Sequence, residues 1–202
     1  MKTSSKRFGF DLDNTLIDYS KSVTEYCRIK KLNPCSNIRM LQENIRAFDD
    51  SNYSWQLAQG WLYSDGLAFA EIGVGFIELC EYLTLNDYQL YIVSHKTSHT
   101  PSFCGSKPLR EIASAWIKES LFAKFFKEPN QIYFEPTRKK KISRIKKLSL
   151  SYFVDDLDEI FLEKKFPGDV KKFLINSNRS NNPKVICVPN FKIIKRIICD
   201  EY

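Results

Sequence analysis

Two periodicities of apolar residues alternate along this 202-residue chain. Short apolar runs that end in polar residues predict buried strands, which lie at Arg7–Phe10, Gln89–Val93, Gln131–Phe134, Tyr152–Val154 and Lys171–Ile175. Segments with apolar residues three or four positions apart predict amphipathic helices, which lie near 74–85, 109–121 and 138–148 and in a closing segment with Phe191, Ile194 and Ile198. The pattern therefore predicts a series of βα units.

About fifty residues separate the first strand from the next βα unit, and their pattern is helical. A helix is predicted over 20–32, where a proline soon follows it. Asn37 is predicted to cap a second helix, whose apolar residues are Ile38, Leu41, Ile45 and Phe48. Gly60 and Gly66 then interrupt an aromatic-rich segment, which predicts a third, less regular helix and a return loop. We expect Tyr19–Ile72 to form a small helical insertion.

The composition fits a protein with a substantial core: 43% of the residues are hydrophobic and 14% are aromatic. The length suits one domain, or one domain with a small insertion. The six cysteines show no CxxC pair and no zinc spacing, so we expect reduced, mostly buried thiols. With no signal-like apolar segment near the start and no run of ~20 apolar residues, the expected location is the cytoplasm and no membrane is expected as a partner.

A net charge of +7 and a pI near 9.0 suggest an anionic partner. Much of the positive charge lies in one run, RKKKISRIKK, from Arg138 to Lys147. This run is interpreted in two ways: as a solvated helix face, or as part of a nucleic-acid-binding surface.

Two carboxylates follow the first predicted strand, in the stretch FGFDLDNTLIDYS. Asp11 and Asp13 are two residues apart, so they leave the strand end on the same side. One carboxylate can then bind a hard cation and attack an electrophile while the other transfers a proton. The alternative is a structural turn of Asp and Asn residues that caps a helix.

Other strands also end in polar residues. Ser94 ends the strand Gln89–Val93, where a hydroxyl can donate to a phosphoryl oxygen, because open α/β sheets bind ligands at this edge. Asp155 and Asp156 end the strand Tyr152–Val154, and adjacent carboxylates are costly unless a cation neutralises them. A divalent metal is therefore expected at this sheet edge.

Helical phase distinguishes the lysines of the basic run. Lys141, Ile145 and Leu148 lie at i, i+4 and i+7 on the predicted buried stripe. Lys141 is thus expected to point inward, where its ammonium group can offset the carboxylates. Lys139 is the alternative inward-pointing lysine. In a purely structural interpretation, all of these lysines are solvated.

The loop after Ser94 contains His95 and Lys96 among small and positively charged residues. Two interpretations stay open for this pair. The side chains select the substrate, or they are exposed loop residues without a role in the site.

In order along the chain, FGFDLDNT, YIVSHKT, Lys141 and YFVDDLDEI resemble the four motifs of the haloacid dehalogenase-like (HAD) superfamily of hydrolases. The first string resembles DxDxT, and the last resembles the DD form of the fourth motif. The resemblance implies an α/β, Rossmann-like fold whose parallel sheet has the strand order 5-4-1-2-3, flanked by helices. It also implies a catalytic core of residues 1–18 and 73–202, and a helical C1-type cap of residues 19–72.

The same resemblance implies roles for the site residues. Asp11 would be the nucleophile and Asp13 the general acid and base. The phosphate would be bound by three residues, Thr15, Ser94 and Lys141. Mg²⁺ would be held by Asp11, the Asp13 carbonyl and Asp156, with Asp155 binding a metal-bound water or tuning its neighbour.

The implied activity is magnesium-dependent hydrolysis of a small phosphate monoester through an aspartyl-phosphate intermediate. The acid Asp13 favours a phosphatase over a dehalogenase, because family members that act on carbon–halogen bonds lack it. Two alternatives remain at this point: a phosphomutase of the same fold, and a nucleic-acid end-processing phosphatase or binding module, which the positive charge favours.

Overall fold

A computed structural model describes residues 6–175 and 179–200. The chain divides into two compact units. The sheet unit contains the described residues of 1–16, 72–96 and 120–202, and the helical unit contains 17–71 and 97–119. The first segment of the helical unit nearly coincides with the expected insertion. The second segment, 97–119, was expected in the core.

The sheet unit contains a six-stranded parallel sheet. Its strands are β1 (Arg7–Phe10), β4 (Gln89–His95), β5 (Ile132–Glu135), β6 (Tyr152–Asp155), β7 (Lys171–Ile175) and β8 (Val185–Val188). The order across the sheet is β5-β4-β1-β6-β7-β8. The strand that precedes Asp11 is therefore flanked by the strands that carry Ser94 and Asp155, and β8 is a sixth strand beyond the five of the expected order.

Helices flank this sheet, namely α4 (Phe76–Leu85), α6 (Arg138–Lys147), α7 (Asp158–Leu162) and α8 (Phe191–Cys199). The Thr137 hydroxyl caps α6 by accepting a hydrogen bond from the Lys140 amide. An aromatic cluster of Phe10, Phe76 and Phe191 packs β1 against α4 and α8. A second apolar cluster joins α6 to the strands, with Val93, Ile142, Ile145, Phe153 and Leu174 among its members. This apolar packing between helices and strands holds the sheet in place, and with it the carboxyl ends of the strands.

The helical unit contains α1 (Ser20–Lys30), α2 (Ile38–Arg46), α3 (Asn52–Leu62) and α5 (Leu109–Glu119). Where the chain enters and leaves its first segment, β2 (Ile17–Asp18) and β3 (Glu71–Ile72) form a two-stranded sheet. The Ser22 hydroxyl donates to the Gly66 carbonyl at 2.8 Å. Cys104 Sγ donates to the Gln56 carbonyl at 3.6 Å, which ties the second segment to the first.

Two details of this unit differ from the sequence predictions. The third helix is regular across Gly60, and this glycine leaves room for the Cys104 side chain, since an added Cβ would lie 3.2 Å from Cys104 Cβ. Phe48 lies beyond the end of α2 and is 63% exposed, so it does not continue the apolar stripe of Leu41 and Ile45.

The cysteines are free thiols, three of them buried and three half-buried. Within residues 6–175 and 179–200, every helix is too short or too polar to cross a bilayer.

Candidate active site

The candidate site lies where β1, β4 and β6 end. Phe10 pairs with Ile92 of β4 and with Val154 of β6, so the carboxyl ends of the three strands are adjacent. The Asp11 amide donates to the Val154 carbonyl at 2.9 Å, which fixes the backbone from which this side chain projects. Ligands of open α/β sheets bind at this edge.

Lys141 links two carboxylates of the site. Its ammonium Nζ donates to Asp11 Oδ1 at 2.7 Å and to Asp155 Oδ2 at 2.6 Å, and the residue is 1% exposed. Lys139 and Lys140 are exposed. The helical phase therefore predicted the inward-pointing lysine of α6 correctly.

Burial and crowding shift the ionisation of this group of residues. Desolvation raises the pKa of Asp11 to about 7; the Lys141 charge opposes the shift, and nearby Asp155 adds to it. Desolvation, together with Asp155 and Asp11, also raises the pKa of Asp156 well above its ordinary value. Burial disfavours the Lys141 ammonium, yet Asp11 and Asp155 raise its pKa overall. Full ionisation of these carboxylates would thus place more negative charge here than Lys141 alone can offset.

Three carboxylates of the site can share one cation. Asp11, Asp155 and Asp156 each offer an oxygen, and these oxygens lie within 4.8 Å of one another. Carboxylate oxygens are the ligands that hard divalent cations prefer, so the donor set fits Mg²⁺. Asp155 has both oxygens engaged, because Oδ2 accepts from Lys141 and Oδ1 accepts from the Leu157 amide at 3.0 Å. This leaves Asp156 better placed than Asp155 for direct ligation.

Thr15 is buried behind this cluster. Its hydroxyl donates to Asp156 Oδ1 at 3.5 Å. The contact orients a candidate metal ligand, and the phosphate-binding role that the resemblance implies for Thr15 stays a prediction.

Ser94 lies on β4 and is 1% exposed. Its hydroxyl oxygen has no hydrogen-bond partner among the residues that the structure describes. A buried hydroxyl normally has a partner, because leaving one unsatisfied costs about 1 to 3 kcal/mol. An oxyanion of a bound ligand would satisfy it.

Lys96 is not an exposed loop residue. Its ammonium Nζ donates to Asp13 Oδ1 at 2.9 Å and to Asp13 Oδ2 at 2.7 Å, and it is buried. His95, its neighbour, is exposed. The alternation of a strand does indicate this difference, because Lys96 lies two positions after Ser94 and therefore on the same side of the chain. The two residues were predicted as a pair, and the local sequence pattern does not indicate Asp13 as the partner of Lys96.

No protein-family model matches the chain, and no curated protein matches it. Solved structures do match. A predicted phosphatase from Clostridium acetobutylicum has a TM-score of 0.63 at 12% identity, over 98% of this chain and 100% of that chain. A predicted phosphoglycolate phosphatase from Haemophilus somnus has a TM-score of 0.56 at 17% identity, over 98% and 100%. A HAD-superfamily hydrolase from Ehrlichia chaffeensis has a TM-score of 0.52 at 14% identity, over 98% of each chain.

At these identities the similarity shows the fold. The chain has the α/β, Rossmann-like fold of the HAD-superfamily hydrolases, with a six-stranded parallel sheet flanked by helices. The acidic side chains, Lys141 and Ser94 lie at the edge where this class of fold binds ligands.

Proposed function

We propose that this protein is a magnesium-dependent phosphatase that hydrolyses a small phosphate monoester through an aspartyl-phosphate intermediate. The observation that carries the proposal is the Asp11 carboxylate, which is buried at the sheet edge and held by Lys141 at 2.7 Å. The phosphatase and hydrolase names of the structural neighbours support the same activity.

In the first step an oxygen of Asp11 attacks phosphorus opposite the ester oxygen. The bond between phosphorus and the ester oxygen breaks, and Asp13 gives its proton to that oxygen as it leaves. Lys141 orients Asp11 and offsets charge on the phosphoryl group. The unpaired hydroxyl of Ser94 binds one of the phosphoryl oxygens.

In the second step Asp13, now ionised, takes a proton from water. The water oxygen bonds to phosphorus, and the bond between phosphorus and Asp11 breaks. Inorganic phosphate leaves, and both aspartates return to their starting states.

Mg²⁺ would be held by Asp11, the Asp13 carbonyl and Asp156. Asp155 would bind a metal-bound water or tune its neighbour Asp156. The bound cation would supply positive charge that offsets the phosphoryl group and the carboxylates.

For residues 19–72 we propose the role of a C1-type cap. Such a lid would exclude water and contact the leaving group. Because 97–119 packs with this insertion in one compact unit, both segments are candidates for substrate selection.

Two variants test the chemistry. Asp11→Asn should abolish phosphate release and form no covalent species, since the nucleophile is lost. Asp13→Asn should accumulate phosphoenzyme with an aryl phosphate whose leaving group needs little help from an acid, because water is no longer activated. Acid quench followed by intact-protein mass spectrometry measures this species, and peptide mapping locates it. A phosphoryl group on Ser94 or a histidine, or none while turnover continues, would refute the assignment of Asp11.

A further inference from the structure

Lys96 occupies an ordered position that the reaction above does not use. Its amide donates to the Glu135 carbonyl of β5 at 2.9 Å, so the backbone continues the sheet just beyond β4. Glu135 is itself fixed, because its carboxylate accepts from Arg144 Nε at 2.7 Å. The Lys96 side chain is 2% exposed. A long side chain held this firmly has lost its rotamer freedom, which burial must offset.

The partner of Lys96 is the carboxylate assigned to proton transfer. Both oxygens of Asp13 accept from the one ammonium group, at 2.9 and 2.7 Å. A buried ion pair of this kind costs desolvation energy and is more valuable for fixing one arrangement than for stability. The contact therefore specifies where the Asp13 carboxylate lies.

Two buried lysines at the site contact different carboxylates. Lys141 contacts Asp11 and Asp155, whereas Lys96 contacts Asp13. Among the described residues, the carboxylates close enough to share a cation are Asp11, Asp155 and Asp156. The Asp13 carboxylate is outside that group, although its backbone is two residues from Asp11.

We propose that Lys96 is a positioning residue that holds the Asp13 carboxylate outside the acidic cluster and in one orientation for proton transfer to the leaving oxygen. The inference rests on the proposed phosphatase function. Without Lys96 the Asp13 carboxylate would no longer be held apart from Asp11, Asp155 and Asp156, and proton transfer to the leaving oxygen would lose its fixed geometry. The competing interpretation is that Lys96 binds the phosphate itself.

Leaving-group dependence separates these roles. With magnesium present, kcat/KM is measured for phenyl phosphate, whose leaving group needs an acid, and for 2,4-dinitrophenyl phosphate, whose leaving group does not. Lys96→Met should lower kcat/KM for phenyl phosphate by roughly 10- to 100-fold, within the range of general acid catalysis. The value for the dinitrophenyl ester should change by less than about threefold. Lys140→Met, which removes an exposed lysine, should change neither value.

A double-mutant comparison completes the test and does not require the single Lys96 variant to fold. Because Lys96 acts through Asp13, adding Lys96→Met to Asp13→Asn should leave kcat/KM unchanged for both esters. Removing both members of a buried pair is also better tolerated than removing one.

Each outcome decides the proposal. A double variant slower than Asp13→Asn, or a Lys96→Met variant that loses equally with both esters, would overturn the positioning role. If the wild-type protein releases phosphate from neither ester, the proposed function itself fails. If the wild type is active and Lys96→Met retains its leaving-group dependence, the positioning role alone fails.

Discussion

The buried hydroxyl of Ser94 has no hydrogen-bond partner in the described part of the chain. A bound ligand can supply that partner. Replacing Ser94 by alanine should therefore not lower the free energy of unfolding, whereas replacing an ordinary buried serine should lower it. Ser22, which donates to the Gly66 carbonyl at 2.8 Å, provides the comparison.

Ser94→Ala should leave the free energy of unfolding unchanged or raise it by up to about 1 kcal/mol, because no hydrogen bond is lost. Ser22→Ala should lower the free energy of unfolding by about 1 to 2 kcal/mol. Urea denaturation measures both. Ser94→Ala should also weaken competitive inhibition by orthovanadate, and a variant that is destabilised yet inhibited normally would contradict the assigned role.

Lys141 should be far less replaceable than the other lysines of α6. Lys141→Met leaves Asp11 and Asp155 without their shared partner, and breaking a buried pair in this way costs about 3 to 5 kcal/mol. Lys140→Met, at an exposed position, should stay within about 0.5 kcal/mol of wild type. The comparison uses urea denaturation in chelator, with phosphatase activity measured alongside. Equal stability and activity of the two variants would refute the inward role of Lys141.

At the residue scale, the sequence predicted those positions that depend on local patterns. Strand ends located Asp11, Ser94 and Asp155, and helical phase located Lys141. The partner of Lys96 was missed because Asp13 is 83 positions away, and no local periodicity encodes a pairing over that separation.

Among the elements, the packing of α4 on α8 involves a glycine that precedes α4 and lies against Lys192 of α8. Gly75 precedes α4 with φ of +82°, a region that other residues rarely adopt. An added Cβ would also lie 2.5 Å from Lys192 Cγ and 2.7 Å from the Lys192 amide nitrogen. Backbone strain and overlap thus act together at this position.

Gly75→Ala should lower the free energy of unfolding by about 1 to 3 kcal/mol or more. Gly168→Ala is the matched control, since no neighbouring atom of residues 6–175 and 179–200 lies within 4 Å of its added Cβ. That substitution should change stability by less than about 1 kcal/mol in either direction. Thermal denaturation of the two variants measures the difference, and an equal effect would show that the α4–α8 approach tolerates a side chain.

The elements themselves were largely predictable, because apolar runs and helical stripes are dense in the sheet unit. The second segment of the helical unit was not. Residues 97–119 begin in a loop of small and positively charged residues without a period, and their packing depends on distant contacts such as that of Cys104 with Gln56. Gly60 of α3 also lies against this distant segment, since an added Cβ there would be 3.2 Å from Cys104 Cβ.

For the molecule as a whole, the crowded carboxylates predict that metal binding and folding are linked. A cation that binds the folded state stabilises it by about 2.7 kcal/mol at 100 times its dissociation constant. Adding magnesium should therefore raise the thermal midpoint of the wild-type protein.

Asp156→Asn should remove most of this stabilisation by magnesium. In chelator the variant should be at least as stable as wild type, because one of three close carboxylates has lost its charge. With magnesium it should gain little, whereas Asp50→Asn, at an exposed position, should behave as wild type in both conditions. Differential scanning calorimetry with and without the cation measures both. An Asp156→Asn protein that magnesium stabilises as strongly as wild type would exclude Asp156 as a ligand.

The central place of β1 in the sheet also sets an order of assembly during synthesis. β1 pairs with β4 and β6. Because β1 is synthesised first, it cannot pair until these later strands have been made. At ribosomal speeds of ~5 to 20 residues per second, Asp156 follows Asp11 by roughly 7 to 30 s. For much of that interval the nascent chain carries Asp11 and Asp13 before Lys96 and then Lys141 are made. The site can therefore form only late in translation, when the sheet closes around its first strand.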